Sequence, residues 1–394
     1  MKIFNKKINR KSIDSVKWLE QKYPDSLPFW VADSDYPTAK CIIKDLKKVL
    51  KVGAFGYPGN DEYLKEIITS WYLTRYQSKI NKEYISLSQG VIVSIASIIK
   101  TITSEGEGVI VQTPVYNGFY RAILNTNRKI IENKLIKKLD EDKHLMTYEM
   151  DLDNLEQLFI QGHKTMILCS PHNPIGRVWN EIEMTKLFQL VKRYEINLII
   201  DEIHSDFIYP GQNFISAAHF LERYDKVFIC NAPSKTFNIA GIQIAYVIIK
   251  NEELRNKYNQ TYESNCPQEP NLFARTALKS AYTKCYKYVD EQNKHLYNNY
   301  QILYQTIRRY IPEAYISKLE GTYLVWIDFS CLNKTSQQLF DFFEEHHLTL
   351  SKGSNYTLTE EAYIRFNIAC PRKQLISGLN ILIESLKELT NETR

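Results

Sequence analysis

From Tyr84 to Ile249 the chain alternates short β-branched runs with helical or looped stretches. The runs are Tyr84–Leu87, Val109–Gln112, Thr165–Cys169, Leu198–Ile200, Val227–Cys230 and Ile242–Ile249. Such alternation favours an α/β fold with a largely parallel sheet, because parallel strands need crossover segments and those segments cover both faces. Thr185–Tyr194 reads as one intervening helix, with Leu187, Leu190 and Val191 turned inward. Ahead of the alternation, Ala39–Val52 and Asp61–Tyr76 carry apolar residues at helix spacing: Ile42, Ile43, Leu46, Val49 and Leu50 in the first, Leu64, Ile67, Ile68 and Trp71 in the second. Beyond about Tyr282 the chain is long-helical, then strand-like at Thr322–Phe329 and Ala362–Ile368, which suggests a smaller α+β domain. With 394 residues, 44% of them hydrophobic, the chain is large enough for two domains.

The net charge of +5 is mild for this length. Its only dense basic run, Lys2–Lys11, reads as a solvated arm, and no nucleic-acid partner is expected. No apolar stretch follows that run as in a signal peptide, and none is long enough to span a membrane. The seven cysteines are scattered and odd in number, and none forms C-x-x-C. Neither a disulfide scaffold nor a metal site is expected, and a reduced cytoplasmic protein is the simplest reading. Those in M-I-L-C (Met166–Cys169) and V-F-I-C (Val227–Cys230) read as small buried hydrophobes.

Three motifs carry chemistry. They are S-P-H-N-P-I-G (Ser170–Gly176), I-I-D-E-I-H (Ile199–His204) and S-K-T-F-N (Ser234–Asn238). They place Asn173, Asp201 and Lys235 at or just beyond the ends of apolar runs, where α/β sheets bind ligands. Taken singly, an N-P-x-G is a turn, an Asp a cap and a Lys a snorkelling charge. Together they match what a carbonyl cofactor with a pyridine ring requires: an amine for a Schiff base, a carboxylate for the ring nitrogen and a donor to the ring hydroxyl oxygen. Ser88-Gln89-Gly90 ends a strand and opens a helical run, so the N–H groups of Gly90, Val91 and Ile92 are candidates to hold an anion. Arg365, in the alternating I-R-F-N-I, is a strand residue whose guanidinium suits a carboxylate.

The order N-P-x-G, D-E-x-H, S-K resembles that of the fold-type I pyridoxal-phosphate enzymes. The resemblance runs from Trp30 to Pro371, and in detail it is closer to the cystathionine β-lyase / C–S lyase branch than to ordinary aminotransferases. It implies a large domain of residues 46–282 that binds pyridoxal 5'-phosphate (PLP), with residues 1–45 and 283–394 forming a small discontinuous domain. It implies that Lys235 forms the Schiff base and moves the α-proton, that Asp201 pairs with the pyridinium, and that Asn173 contacts the ring hydroxyl. Tyr116 is expected flat against the ring, Ser234 on the phosphate, and His204, ahead of His172, as a supporting partner. Tyr57, in F-G-Y-P-G, matches a tyrosine that reaches the phosphate of the neighbouring subunit, which implies a homodimer. Arg365, with Asn173 nearby, is expected to bind the substrate carboxylate. The segment W-V-A-D-S-D-Y (Trp30–Tyr36) is expected to line the substrate mouth, with Asp33 closest. The implied reaction is β-elimination from L-cystathionine or another cysteine S-conjugate, giving a thiol, pyruvate and ammonia. The sequence departs from the related patterns at Ser34, where Met is usual, at Gln243, where aminotransferases carry an Arg, and along Lys352–Tyr363. An aminotransferase on the same fold is the alternative, and some relatives add a regulatory role by contacting a transcription activator.

Overall fold

In a computed structural model the structure describes residues 2–359 and 361–392. A seven-stranded sheet lies at its centre. The strands run across it in the order Ile85–Ser88, Ala245–Ile248, Val227–Asn231, Asn197–Asp201, Thr165–Cys169, Gly108–Thr113 and Lys129–Lys134. Only Ala245–Ile248 is antiparallel to its neighbours; the remaining pairs are parallel. The alternation in the sequence therefore corresponds to a doubly covered sheet. On one face Ile199, Phe228 and Val247 meet Ile95, Ile98 and Phe119 of helices Val91–Ile102 and Asn117–Leu124. On the other, Ile200, Ile229 and Tyr246 join the core that includes Leu64, Ile68 and Trp71 of helix Glu62–Tyr76. Successive strand residues point to opposite faces, so a strand covered on both sides must be apolar throughout.

Strand Lys129–Lys134 has no counterpart in the sequence reading. It pairs only with Gly108–Thr113, at the sheet edge, and its Lys129, Glu132 and Lys134 break up the apolar signal. A second, six-stranded sheet runs Ser351–Lys352, Tyr363–Asn367, Leu324–Asp328, Tyr315–Ser317, Leu145–Glu149 and Ile136–Asp140. The hairpin of its last two strands falls within residues 46–282, yet it is hydrogen-bonded into this sheet through Leu145–Glu149 and Tyr315–Ser317. Chain order and sheet membership diverge there.

Two expectations need correction. The Lys2–Lys11 stretch is not simply a solvated arm. Phe4 is buried edge-on to Tyr36 at 5.1 Å, and Arg10 pairs with Asp33 at 2.6 Å. Nor are all the cysteines reduced: Cys41 and Cys285 form a disulfide across a separation of 244 residues. Their elements meet only when helix Lys40–Val52 packs beside Leu272–Lys284, a proximity that spacing along the chain does not encode. Cys169 and Cys230 are buried. Among the described residues no His, Cys, Asp and Glu cluster could hold a metal ion, and no helix is long and apolar enough to cross a membrane.

Candidate active site

The sheet topology brings five of the marked segments to one edge. The strands ending at Ser88, Thr113, Cys169, Asp201 and Asn231 share a direction, so the turns leaving them open on the same side. These turns carry Gly90, Tyr116, Asn173, His204 and Lys235, and Asp201 ends its own strand.

Asp201 lies between Cys169 and Cys230 in the sheet register and is buried. Its Oδ1 accepts the Ile203 N–H at 3.0 Å. Burial pushes the carboxyl up to about 7, while the Ile203 hydrogen bond and the charge of Lys235 act in the opposite direction. Lys235 stands on the single helical turn Ser234–Phe237 and donates from Nζ to the Ala32 carbonyl at 2.7 Å. Burial lowers its pKa; the charge of Arg365 adds to this, and those of Asp33 and Asp201 oppose it. The turn is pinned at both ends of its short span. Thr236 Oγ1 donates to Asp206 at 2.8 Å, and Asn238, at φ 55°, closes the turn in the left-handed region. From there the Asn238 amide bonds to both Ser34 and Tyr36 carbonyls.

His204 is buried, and its pKa falls to about 3 through burial and the nearby charges of Lys235 and Arg365. It is therefore a neutral imidazole, and its Nδ1 has no hydrogen-bond partner. His172 is tied elsewhere: its Nε2 contacts the Pro114 carbonyl at 2.9 Å and its ring meets Trp179 edge-on.

Arg365 joins Asn173 to the segment at the mouth. Its Nη1 donates to Asn173 Oδ1 at 3.1 Å and its Nη2 to the Trp30 carbonyl at 2.5 Å. Its guanidinium lies 4.7 Å from the ring centre of Tyr356, and Nε remains without a partner. Tyr356 was not foreseen. It comes from the Lys352–Tyr363 loop, of which Glu360 lies outside the described residues, and no motif in that loop announces an aromatic over an arginine.

Tyr116 caps helix Asn117–Leu124 and folds back over Gly118. A Cβ at position 118 would strike the Tyr116 ring and approach Ile92 Cδ1 at 3.0 Å, so glycine is what lets this ring lie beside the start of helix Val91–Ile102. That helix has no side-chain cap, and first-turn N–H groups have no intrahelical acceptor. The Gln89 N–H is already taken by Tyr262 Oη at 2.8 Å, so the amides open at this helix start are those of Gly90, Val91 and Ile92. Ser234 is partly exposed at the start of its own turn.

Asp33 is partly exposed and faces Lys235 electrostatically. Ser34 does not line the mouth: it is buried, and its backbone is held by Asn238. Gln243 is exposed at φ 59°. Tyr57 is wholly exposed, on the loop after helix Lys40–Val52, and among the described residues it makes no hydrogen bond or ring contact with the residues gathered here.

The donor set fits PLP. Asp201 is a buried carboxyl with one backbone donor and no cation in hydrogen-bond contact, a setting that a protonated ring nitrogen would complete. The uncapped helix start suits a phosphate, and Lys235 supplies an amine.

The chain matches the aminotransferase class I and II family over residues 27–381. It is 32% identical over 383 residues to cystathionine beta-lyase PatB of Bacillus subtilis, covering 95% of this chain and 97% of that protein. It is 31% identical over 368 residues to protein MalY of Escherichia coli, covering 92% of each. Among solved structures it is similar to cystalysin from Treponema denticola, which contains pyridoxal 5'-phosphate. There the TM-score is 0.92 and the identity 32%, over 98% of this chain and 99% of the other. The PLP-bound C–S lyase from Staphylococcus hominis superposes with a TM-score of 0.89 at 27% identity, over 97% of each chain.

Proposed function

Because the chain belongs to the aminotransferase class I and II family, we propose that it is a PLP-dependent carbon–sulfur β-lyase that cleaves L-cystathionine or other cysteine S-conjugates to a thiol, pyruvate and ammonia. The observation that carries the reading is the convergence of Lys235, Asp201 and Arg365 on one cleft, in a chain similar over nearly its whole length to such lyases. The exposed Gln243 supports elimination over amino transfer, since aminotransferases carry an Arg there.

Asp201, Asn173 and Tyr116 would hold the cofactor ring, with His204 behind it. The amides of Gly90, Val91 and Ile92, with Ser234, would hold the phosphate. When bound, PLP supplies an electron sink for the pair left at the substrate Cα. Arg365 binds the α-carboxylate and so sets the torsion about Cα, placing the C–H bond where its electrons can delocalise. Asn173 holds one edge of that guanidinium and the Trp30 carbonyl the other, which fixes its plane. Lys235 takes the α-proton. Burial lowers its pKa, so a larger share of the amine is neutral and able to accept at neutral pH. The thiolate then leaves from Cβ. Pyruvate and free thiol released in equal amounts from L-cystathionine without any keto acid would establish this reading. Turnover only on addition of a keto acid would replace it with amino transfer.

Arg365→Lys should raise KM for L-cystathionine by about tenfold or more, because a lysine cannot reproduce the paired hydrogen bonds. Steady-state kinetics with kcat and KM resolved would check it, and an unchanged KM would move the carboxylate contact elsewhere.

The same reading includes a homodimer in which Tyr57 completes the neighbouring site. Its support is the complete exposure of Tyr57 with Phe55, two residues away on the same loop, also exposed, an unusual state for two large aromatics in a single chain. Mixing Lys235→Ala with Tyr57→Ala subunits should restore activity, since one of the two hybrid sites is intact. Failure of a mixed dimer to exceed either parent would remove Tyr57 from the site.

A further inference from the structure

The mouth segment has nearly all its polar groups committed. The Trp30 carbonyl takes Arg365, that of Ala32 takes Lys235, and that of Asp33 takes Lys17 and Asn367. Its partly exposed ionisable side chain is Asp33, since Asp35 is buried. One carboxylate oxygen, Oδ2, is fixed by Arg10 Nη2 at 2.6 Å. The other, Oδ1, has no hydrogen-bond partner among the described residues. Arg10 is committed too: Nη1 donates to the Ser34 carbonyl at 2.9 Å and lies 3.6 Å from Asp35 Oδ1. Neither side chain of the pair is an ordinary surface charge, since they expose only 12% and 21%. Asp33 directly follows Ala32, whose carbonyl holds Lys235 Nζ at 2.7 Å, and it is the foremost charged neighbour of that amine, so this carboxylate stands beside the site where the substrate is bound.

Resting on the lyase reading above, we propose that Asp33, oriented by Arg10, recognises a protonated amine on the departing thiol. The preferred substrates are then cysteine S-conjugates whose thiol half is cationic. Arg365 takes the α-carboxylate, so the thiol half of the conjugate is what remains to meet Asp33. An ammonium gives Oδ1 a charge-assisted hydrogen bond. An alkyl group strips water from a carboxylate and returns nothing. An anionic group meets like charge, and Arg10 cannot turn to compensate without releasing Asp33 and Ser34.

Binding can be measured calorimetrically on the Lys235→Ala protein loaded with PLP, which removes turnover from the comparison. The probes are S-(2-aminoethyl)-L-cysteine, the neutral S-propyl-L-cysteine and the anionic S-carboxymethyl-L-cysteine. The cationic conjugate is expected to bind about tenfold or more tightly than the neutral one, with the anionic one weakest. Adding Asp33→Asn should bring the cationic-to-neutral ratio close to one. Adding Arg10→Met should shrink it as well. Equal affinities for the three probes would overturn the proposal without any Asp33 variant, and so would a ratio that survives Asp33→Asn. The lyase reading is scored separately, by thiol and pyruvate release from S-propyl-L-cysteine with the unmodified enzyme. Loss of that release with the binding order intact would overturn the lyase reading and leave the recognition by Asp33 standing.

Discussion

Lys235→Ala should lower thiol and pyruvate release from L-cystathionine by at least ~10³-fold, the scale expected when the residue that both carries the cofactor and moves the proton is lost. The size of the effect follows from the surroundings of the amine. Its Nζ is held at 2.7 Å by the Ala32 carbonyl, with Asp33, Asp201 and Arg365 as its charged neighbours. None of these neighbours is a basic amine free to take over. His204, the nearby imidazole, has its pKa lowered to about 3, which makes it too weak a base to accept the α-proton. The fold should survive, because the turn is anchored by Thr236, Phe237 and Asn238 rather than by Lys235. Thiol release assayed beside a thermal melt checks both parts. Retained activity with an unchanged melting temperature would remove Lys235 from the reaction.

What could be read from the sequence followed a physical rule. Strands Thr165–Cys169, Asn197–Asp201 and Val227–Asn231 lie in the sheet interior and are apolar on both faces, so their runs stood out and the residues following them could be placed. Asn173, Asp201 and Lys235 were legible for that reason, and their order suggested the cofactor. Edge strand Lys129–Lys134 needs covering on fewer sides, tolerates charge, and left no run to find. Contacts made by tertiary packing were also invisible. Nothing in the local sequence links Arg10 to Asp33, Cys41 to Cys285, or Tyr356 to Arg365. Each depends on how separate elements pack, and two of the three involve the residues around Lys235 and Arg365. The chemistry was written at strand ends, whereas the contacts that shape specificity were set by tertiary packing.

Asp201→Asn should lower kcat by about 10²- to 10³-fold, comparable with removing one preorganised electrostatic contact at a reacting centre. The amide keeps the shape and can still meet the Ile203 N–H through its oxygen, so the loss isolates the charge. A second readout tests the same carboxyl without turnover. In the chain free of cofactor, burial raises the Asp201 pKa from its ordinary value to about 7, so the folded state holds this proton more tightly than the unfolded chain does. The stability it contributes is complete below about pH 4 and is lost as the pH rises through 7. A rise from 3.8 to about 7 makes the term on the order of 4 kcal/mol at most. Apoprotein should therefore lose stability between pH 5 and 8, and Asp201→Asn should lose less. Glu202, also pushed up to about 7 by burial, leaves a residual slope in the variant. A cation supplied by the ring nitrogen would favour the ionised carboxylate, so PLP should stabilise the wild type more strongly at pH 8 than Asp201→Asn. Denaturant titrations of both proteins at pH 5.5 and 8, with and without PLP, decide the matter. Identical pH slopes in the two apoproteins would mean that Asp201 is already ionised there, and equal stabilisation of both by PLP would take the ring nitrogen away from it.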